Sequence, residues 1–383
     1  MAAGGLAAML GGLPRIPAAQ ADDDLLRIGY LPITDATPLL VAHALGFFEA
    51  EGIQTTQPTR IKGWETLVRG FTEGQFNLVH LLKPIPIWMR YHNAIPVKIL
   101  AWAHTNGSAI VVQGQSGIRE FTDFGGRRVA IPYWYSTHNV IFQAGLRAAG
   151  IRPMVDNREK VPTDACALHV IPPPLMVKAL ATGHIDGYTV AEPFVAAGES
   201  VAGGKIFRFS GDIWRDHPCC VVCMHEQTTV QKPAWTQKVV NALVKAALHA
   251  STHKEEVAHL LSQDGKGYLP VPADVVKRAM TFHDPKAYLQ PLALRHQEQW
   301  GSRRIGFNPY PYPSATRLMV EMMRLTLVDE KKTFLDDLSP ERVSRELIAT
   351  DFIQKALEKH PEWWRLPGVS PVNPFEREET FLV

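Results

Sequence analysis

Three thiols lie close together at Cys219, Cys220 and Cys223, with a fourth at Cys166. Thiolates in such a run could bind a soft metal. No second cluster completes a zinc site, and His80, His92 and His104 are scattered over turns without ligand spacing, so the sequence assigns no metal. Cys223 reads as a small hydrophobe in an apolar strand, and a disulfide from Cys166 to Cys219 or Cys220 is open in an oxidising compartment. No G-x-S-x-G elbow, Walker loop, G-x-G-x-x-G or H-E-x-x-H occurs, so neither an enzyme nor a cofactor is expected. Lys83 stands beside Pro84 and could pair with an anion, while Ser136, Thr137 and His138 open a helix and Glu192 precedes Pro193.

The elements that would position these residues form a loose repeat. Leu67–His80 and Met176–Tyr188 each read as a helix, a Gly stop and a strand, closing at Lys83-Pro84 and Glu192-Pro193. Two such units suggest two similar lobes, with the two closing turns facing one another across a cleft. Strands followed by helices imply mainly parallel sheets. Ligands of such sheets bind beyond the carboxyl ends of the strands, here at Thr34–Thr37, Lys83–Pro86, Tyr133–His138 and Val190–Pro193. Helix N–H groups in those loops suit a small anion. Crossings near residues 113 and 222 would make lobe 1 discontinuous, residues 22–113 plus 223–360, around lobe 2 at 114–222. The segment after Pro233 is mostly helical, and residues 361–383 read as a loosely docked tail rich in Pro, Trp and charge.

The chain has 383 residues and a formal net charge of +2, too balanced to indicate nucleic-acid or membrane binding. Residues 1–21 read as a secretory signal, with an apolar stretch from Ala2 to Leu13 and an A-x-A site at Ala19-Gln20-Ala21; the basic n-region is absent, which leaves a true start upstream or a disordered tail as the alternatives. A periplasmic protein is therefore expected.

Seven segments in order carry a resemblance: Gly29-Tyr30-Leu31-Pro32 with Gly46-Phe47-Phe48, Lys83-Pro84-Ile85-Pro86, Thr105-Asn106-Gly107, Ser136-Thr137-His138-Asn139, Pro172-Pro173-Pro174-Leu175, Ala191-Glu192-Pro193-Phe194, and Asp212–Pro218. Over roughly residues 26–350 the chain resembles the nitrate and bicarbonate binding proteins of bacterial ABC importers, within the sulfonate/taurine-type solute-binding superfamily. The resemblance implies a two-lobed α/β periplasmic binding protein fold of type II with a helical C-terminal extension. It implies a monomer that takes a small oxoanion and hands it to a permease served by an ATPase. By this match Trp64 is an aromatic wall, His138 an N–H donor, and Val190, Ala191 and Glu192 the opposite wall. Two positions depart from the family pattern. Trp102 stands where nitrate binders carry Gln, and Cys220 where they carry Lys and bicarbonate binders an acid. Lys83 replaces a small polar residue, which would move the cation across the cleft. The alternative reading is a cytosolic anion sensor of the same fold that sequesters a regulatory partner. A more distant one is an enzyme akin to the pyrimidine synthases of thiamine biosynthesis.

Overall fold

The computed structural model describes residues 24–157, 159–282, 284, 286–289, 293–296 and 304–382. The expected signal segment lies outside them.

Local signals place the helices. Pro38 sits in the first turn of Thr37–Ala44, Ser136 caps Thr137–Ala148 by accepting from the Asn139 amide, and Pro173 opens Pro173–Ala181. The repeat is real in three dimensions. Helix Trp64–Thr72 ends before Gly74 (φ 76°) and feeds strand Leu78–Leu82, and helix Pro173–Ala181 ends before Gly183 (φ 71°) and feeds strand Gly187–Ala191.

Those two strands lie in different sheets. One sheet runs in the order Thr59–Arg60, Ile28–Tyr30, Leu78–Leu82, Cys220–His225, Val97–Trp102. The other runs Arg152–Val155, Ala165–Val170, Arg128–Ile131, Gly187–Ala191, Ser108–Gln113, Gly204–Phe209. Both are mixed rather than purely parallel, because Cys220–His225 and Ser108–Gln113 each run antiparallel to both neighbours. The reversal has a simple cause. Each of these strands is the first to enter a lobe after a crossing, so it starts at the interlobe edge where the other strands finish.

The same geometry moves the expected boundaries. Ser108–Gln113, assigned to lobe 1, belongs to the lobe 2 sheet. Cys220, Val221 and Val222, assigned to lobe 2, are strand residues of lobe 1. An apolar strand carries no mark of which sheet it will join, and the hydrophobic pattern alone could not separate these cases.

The C-terminal segment is packed, not loose. Trp363 is fully buried against Tyr310 and Phe375. Farther along, Glu379 accepts from Trp214 Nε1 at 2.8 Å and from Ser314 Oγ at 2.7 Å, and the Arg215 amide donates to the Thr380 carbonyl at 3.0 Å. The segment therefore runs from the helical layer of lobe 1 to the second crossing. Its aromatic side chains supply the burial that its charge and proline content obscured in the sequence.

Candidate functional site

The interlobe edge of the first sheet gathers side chains from several segments. Asp35 lies in the loop after Ile28–Tyr30, His80 in strand Leu78–Leu82, and His104 just beyond strand Val97–Trp102. Cys219 and Cys220 stand where the chain re-enters the sheet. Gly107 fixes the first crossing: its φ is 72°, and a Cβ there would come within 2.9 Å of Ile305 and 3.0 Å of His104 Nδ1. From lobe 2 come His138, in the first turn of its helix, and Ser108, at the start of its strand.

These groups touch. His104 Nε2 is 2.8 Å from Asp35 Oδ2, and Cys220 Sγ donates to the same oxygen at 3.0 Å. His138 Nε2 lies 2.9 Å from Ser108 Oγ and 3.6 Å from Cys219 Sγ. Ser210 Oγ donates to the Ser108 carbonyl, so His217 Nε2, 2.7 Å away, carries the proton it shares with Ser210. All of these side chains are buried. The lobes meet directly: the Thr34 amide and hydroxyl both donate to the Glu192 carbonyl, at 2.9 and 3.0 Å.

Burial opposes protonation of His104, but the Asp35 carboxylate overrides it and raises the imidazole to about 10. Burial raises Asp35 in turn, against the pull of His104; the ion pair is the form this geometry favours. Burial also works against ionising Cys219, yet the Cys220 thiol and the His138 and His104 rings outweigh it and hold the Cys219 thiol well below its ordinary value. Cys220 moves the other way, raised by burial, by Cys219 and by Asp35.

His80 is neutral. Burial, helped by the charge on His104, depresses it to about 3. Its Nε2 accepts from the Leu31 amide at 2.9 Å, which leaves the proton on Nδ1, and among the described residues Nδ1 has no hydrogen-bond partner. Trp64 packs its ring edge-on against His80 at 5.4 Å and is 2% exposed, and its Nε1–H is likewise unpartnered. Among the described residues, neither of these two buried N–H donors has a hydrogen-bond partner.

The sequence-nominated residues divide. Trp64, His138 and Cys220 belong to this interlobe cluster. Thr137 Oγ1 donates to the Cys219 carbonyl at 3.2 Å and ties the lobe 2 helix to the crossing. Val190 is a buried strand residue paired with Ala109. Ser136 is the helix cap, so its hydroxyl is already engaged. The Glu192 side chain turns away to Arg304 and to the Ala196 amide, and its turn meets Thr34 rather than Lys83. The Lys83 amide donates to the Cys219 carbonyl at 2.9 Å, but the Lys83 and Trp102 side chains turn away from the cluster, correcting the expectation of a cleft cation. Lys83 Nζ donates to Thr316 Oγ1 at 2.8 Å and stands 5.9 Å from the Trp102 ring, whose face also carries the Arg377 guanidinium at 4.7 Å. They form a buried contact with the C-terminal layer. The four cysteines are free thiols.

Ser108 and His217 were missed, Asp35 entered only as part of the Thr34–Thr37 loop, Cys219 was set aside with the incomplete zinc cluster, and His80 and His104 were dismissed as scattered. Linear spacing could not reveal them. The available signal was topological: each stands on or beside a strand at the edge where the chain changes lobe.

A sequence profile of the NMT1-like family matches residues 19–262, more than half of the chain. The chain belongs to the NMT1-like family. Among its curated relatives is the nitrate/nitrite binding protein NrtA of Nostoc sp., 28% identical over 274 residues that cover 66% of this chain and 60% of that protein. The chain thus spans less than two thirds of that relative's length. The crystal structure of the periplasmic nitrate-binding protein NrtA from Synechocystis superposes with a TM-score of 0.73 at 19% identity, covering 94% of each chain. The alkanesulfonate-binding protein SsuA from Xanthomonas axonopodis, bound to MOPS, does so at 0.58 and 14% identity, covering 80% of this chain and 95% of that one. These likenesses establish an α/β periplasmic binding protein fold for this NMT1-like chain. No helix among the described residues is long and apolar enough to cross a membrane.

Proposed function

We propose that the chain is the extracytoplasmic solute-binding component of an ABC importer. Its ligand would be a small oxoanion of the nitrate, nitrite, bicarbonate or short-sulfonate class, held between the lobes and delivered to a permease and its ATPase. The observation that carries this reading is the pair of buried, unpartnered donors, Trp64 Nε1–H and His80 Nδ1–H. Leaving a buried donor unmet costs about 1–3 kcal/mol, and a hydrogen bond to an oxyanion would relieve that cost. The protonated His104 ring beside His80 adds positive potential, partly balanced by Asp35. His138 comes from the other lobe, and its Nε2 shares a hydrogen bond with Ser108 Oγ for which an anion would compete.

Capture would work by population shift. A solute contacting Trp64 and His80 on one lobe and His138 on the other binds fully only when the lobes are closed, so it favours closure by its differential affinity. The Thr34–Glu192 bonds contribute to that closed state from the protein side. Nothing in this scheme requires a covalent step.

A thermal-shift panel tests the ligand class. The cognate anion at a hundredfold excess over its Kd should stabilise the protein by about 2.7 kcal/mol and raise the melting temperature. If nitrate, nitrite, bicarbonate and short sulfonates all leave it unchanged while an uncharged or aromatic solute raises it, the oxoanion reading is wrong.

A further inference from the structure

We propose that Asp35, His104, Cys219 and Cys220 form a binding site for a thiophilic d-block cation of the zinc type. Each offers one ligand atom, and these atoms lie within 4.8 Å of one another. Asp35 Oδ2 is 2.8 Å from His104 Nε2 and 3.0 Å from Cys220 Sγ. A tetrahedral ion with metal–sulfur bonds of about 2.3 Å and metal–nitrogen or metal–oxygen bonds of about 2.0–2.2 Å separates its ligand atoms by roughly 3.3–3.8 Å. The four donors bracket that spacing, so small side-chain adjustments close them around one ion.

The chemistry of the set is selective. Two sulfurs and an imidazole suit zinc and its soft neighbours, whereas calcium and magnesium demand oxygen. The four side chains are completely buried, so an ion among them would be held away from water. The donors come from three separate chain segments, each anchored by a strand of the same sheet, which is a rigid support for a metal. Cys219 Sγ also faces His138 Nε2 of lobe 2 at 3.6 Å, so the site borders the interlobe seam. The inference stands apart from the oxoanion reading and is tested without any anion ligand.

The full chain, reduced and stripped with chelator, is titrated with cobalt(II) and then with zinc. One cobalt per chain should bind, with tetrahedral visible bands and a near-ultraviolet thiolate charge-transfer band, and zinc should displace it. Cys219→Ser and Cys220→Ser should each about halve the charge-transfer band and together abolish it, while the Cys166→Ser/Cys223→Ser double variant should keep it. X-ray absorption at the zinc edge of the wild type needs no variant to fold, and should show two sulfur and two lighter scatterers. Absence of stoichiometric binding, a charge-transfer band that survives loss of both Cys219 and Cys220, or a zinc shell without sulfur would overturn the proposal.

Discussion

Trp64→Phe separates a ligand donor from a core residue. The substitution keeps an aromatic ring against His80 and deletes only the indole N–H and part of the ring. In the unliganded protein two effects oppose one another. Shrinking a side chain that is 2% exposed leaves a small cavity, costing about 1–2 kcal/mol. Removing a buried N–H that has no partner returns about 1–3 kcal/mol of desolvation. Chemical unfolding should therefore find the variant within about 2 kcal/mol of wild type. Binding should respond quite differently. A hydrogen bond to a charged acceptor contributes about 1.5–3 kcal/mol, so the variant should bind the cognate oxoanion about 10–150-fold more weakly by calorimetry. A variant that folds normally and binds within about threefold of wild type would refute the donor role. One that loses far more than 3 kcal/mol of stability would show that Trp64 is chiefly a packing residue.

Burial pushes Lys83 from 10.5 down to about 7, so between those values the unfolded chain holds a proton that the folded chain lacks. Stability should thus rise with pH across that window, and the full penalty applies below pH 7. Lys83→Met should be the more stable form by up to a few kcal/mol in urea unfolding at pH 6, with the advantage fading towards pH 10; a constant difference would refute this. Glu192→Gln removes a carboxylate from a pair in which Glu192 and Arg304 are both 1% exposed. Because Glu199 still holds Arg304 at 3.1 Å, the loss should be about 2–3 kcal/mol rather than the upper range for a broken buried pair, as read from denaturant midpoints. Glu379→Ala unties Trp214, Ser314 and Arg377 together and should cost about 1–3 kcal/mol of unfolding free energy; an unchanged value would mean that the Glu379 bonds add nothing to stability.

The fold was legible because its signals are local. Pro38, Ser136 and Pro173 start helices, Gly74 and Gly183 end them, and the repeated helix–Gly–strand order marks two lobes. The strands that switch lobes were misassigned because Ser108–Gln113 and Cys220–His225 both have apolar centres, and their partners are chosen by topology. The site was half legible. Trp64, His138 and Cys220 stand in motifs or at departures from them. Asp35, His80 and His104 could not be grouped from spacing, since only the sheet brings residues 35, 80, 104 and 219 together. Lys83 misled for a physical reason: a lysine before a helix reads as solvated or anion-facing, and nothing local announces that helix Pro313–Leu325 supplies Thr316 to receive it.

The central claim is that a small oxoanion binds between the lobes with help from His138. Isothermal calorimetry of nitrate, nitrite, bicarbonate and short sulfonates against the wild type and His138→Ala tests it most directly. The account predicts one-site binding of at least one of these anions to the wild type, weakened about 10–150-fold in a normally folded His138→Ala variant. Binding of none of them to the wild type, or equal affinity in the variant, would contradict it.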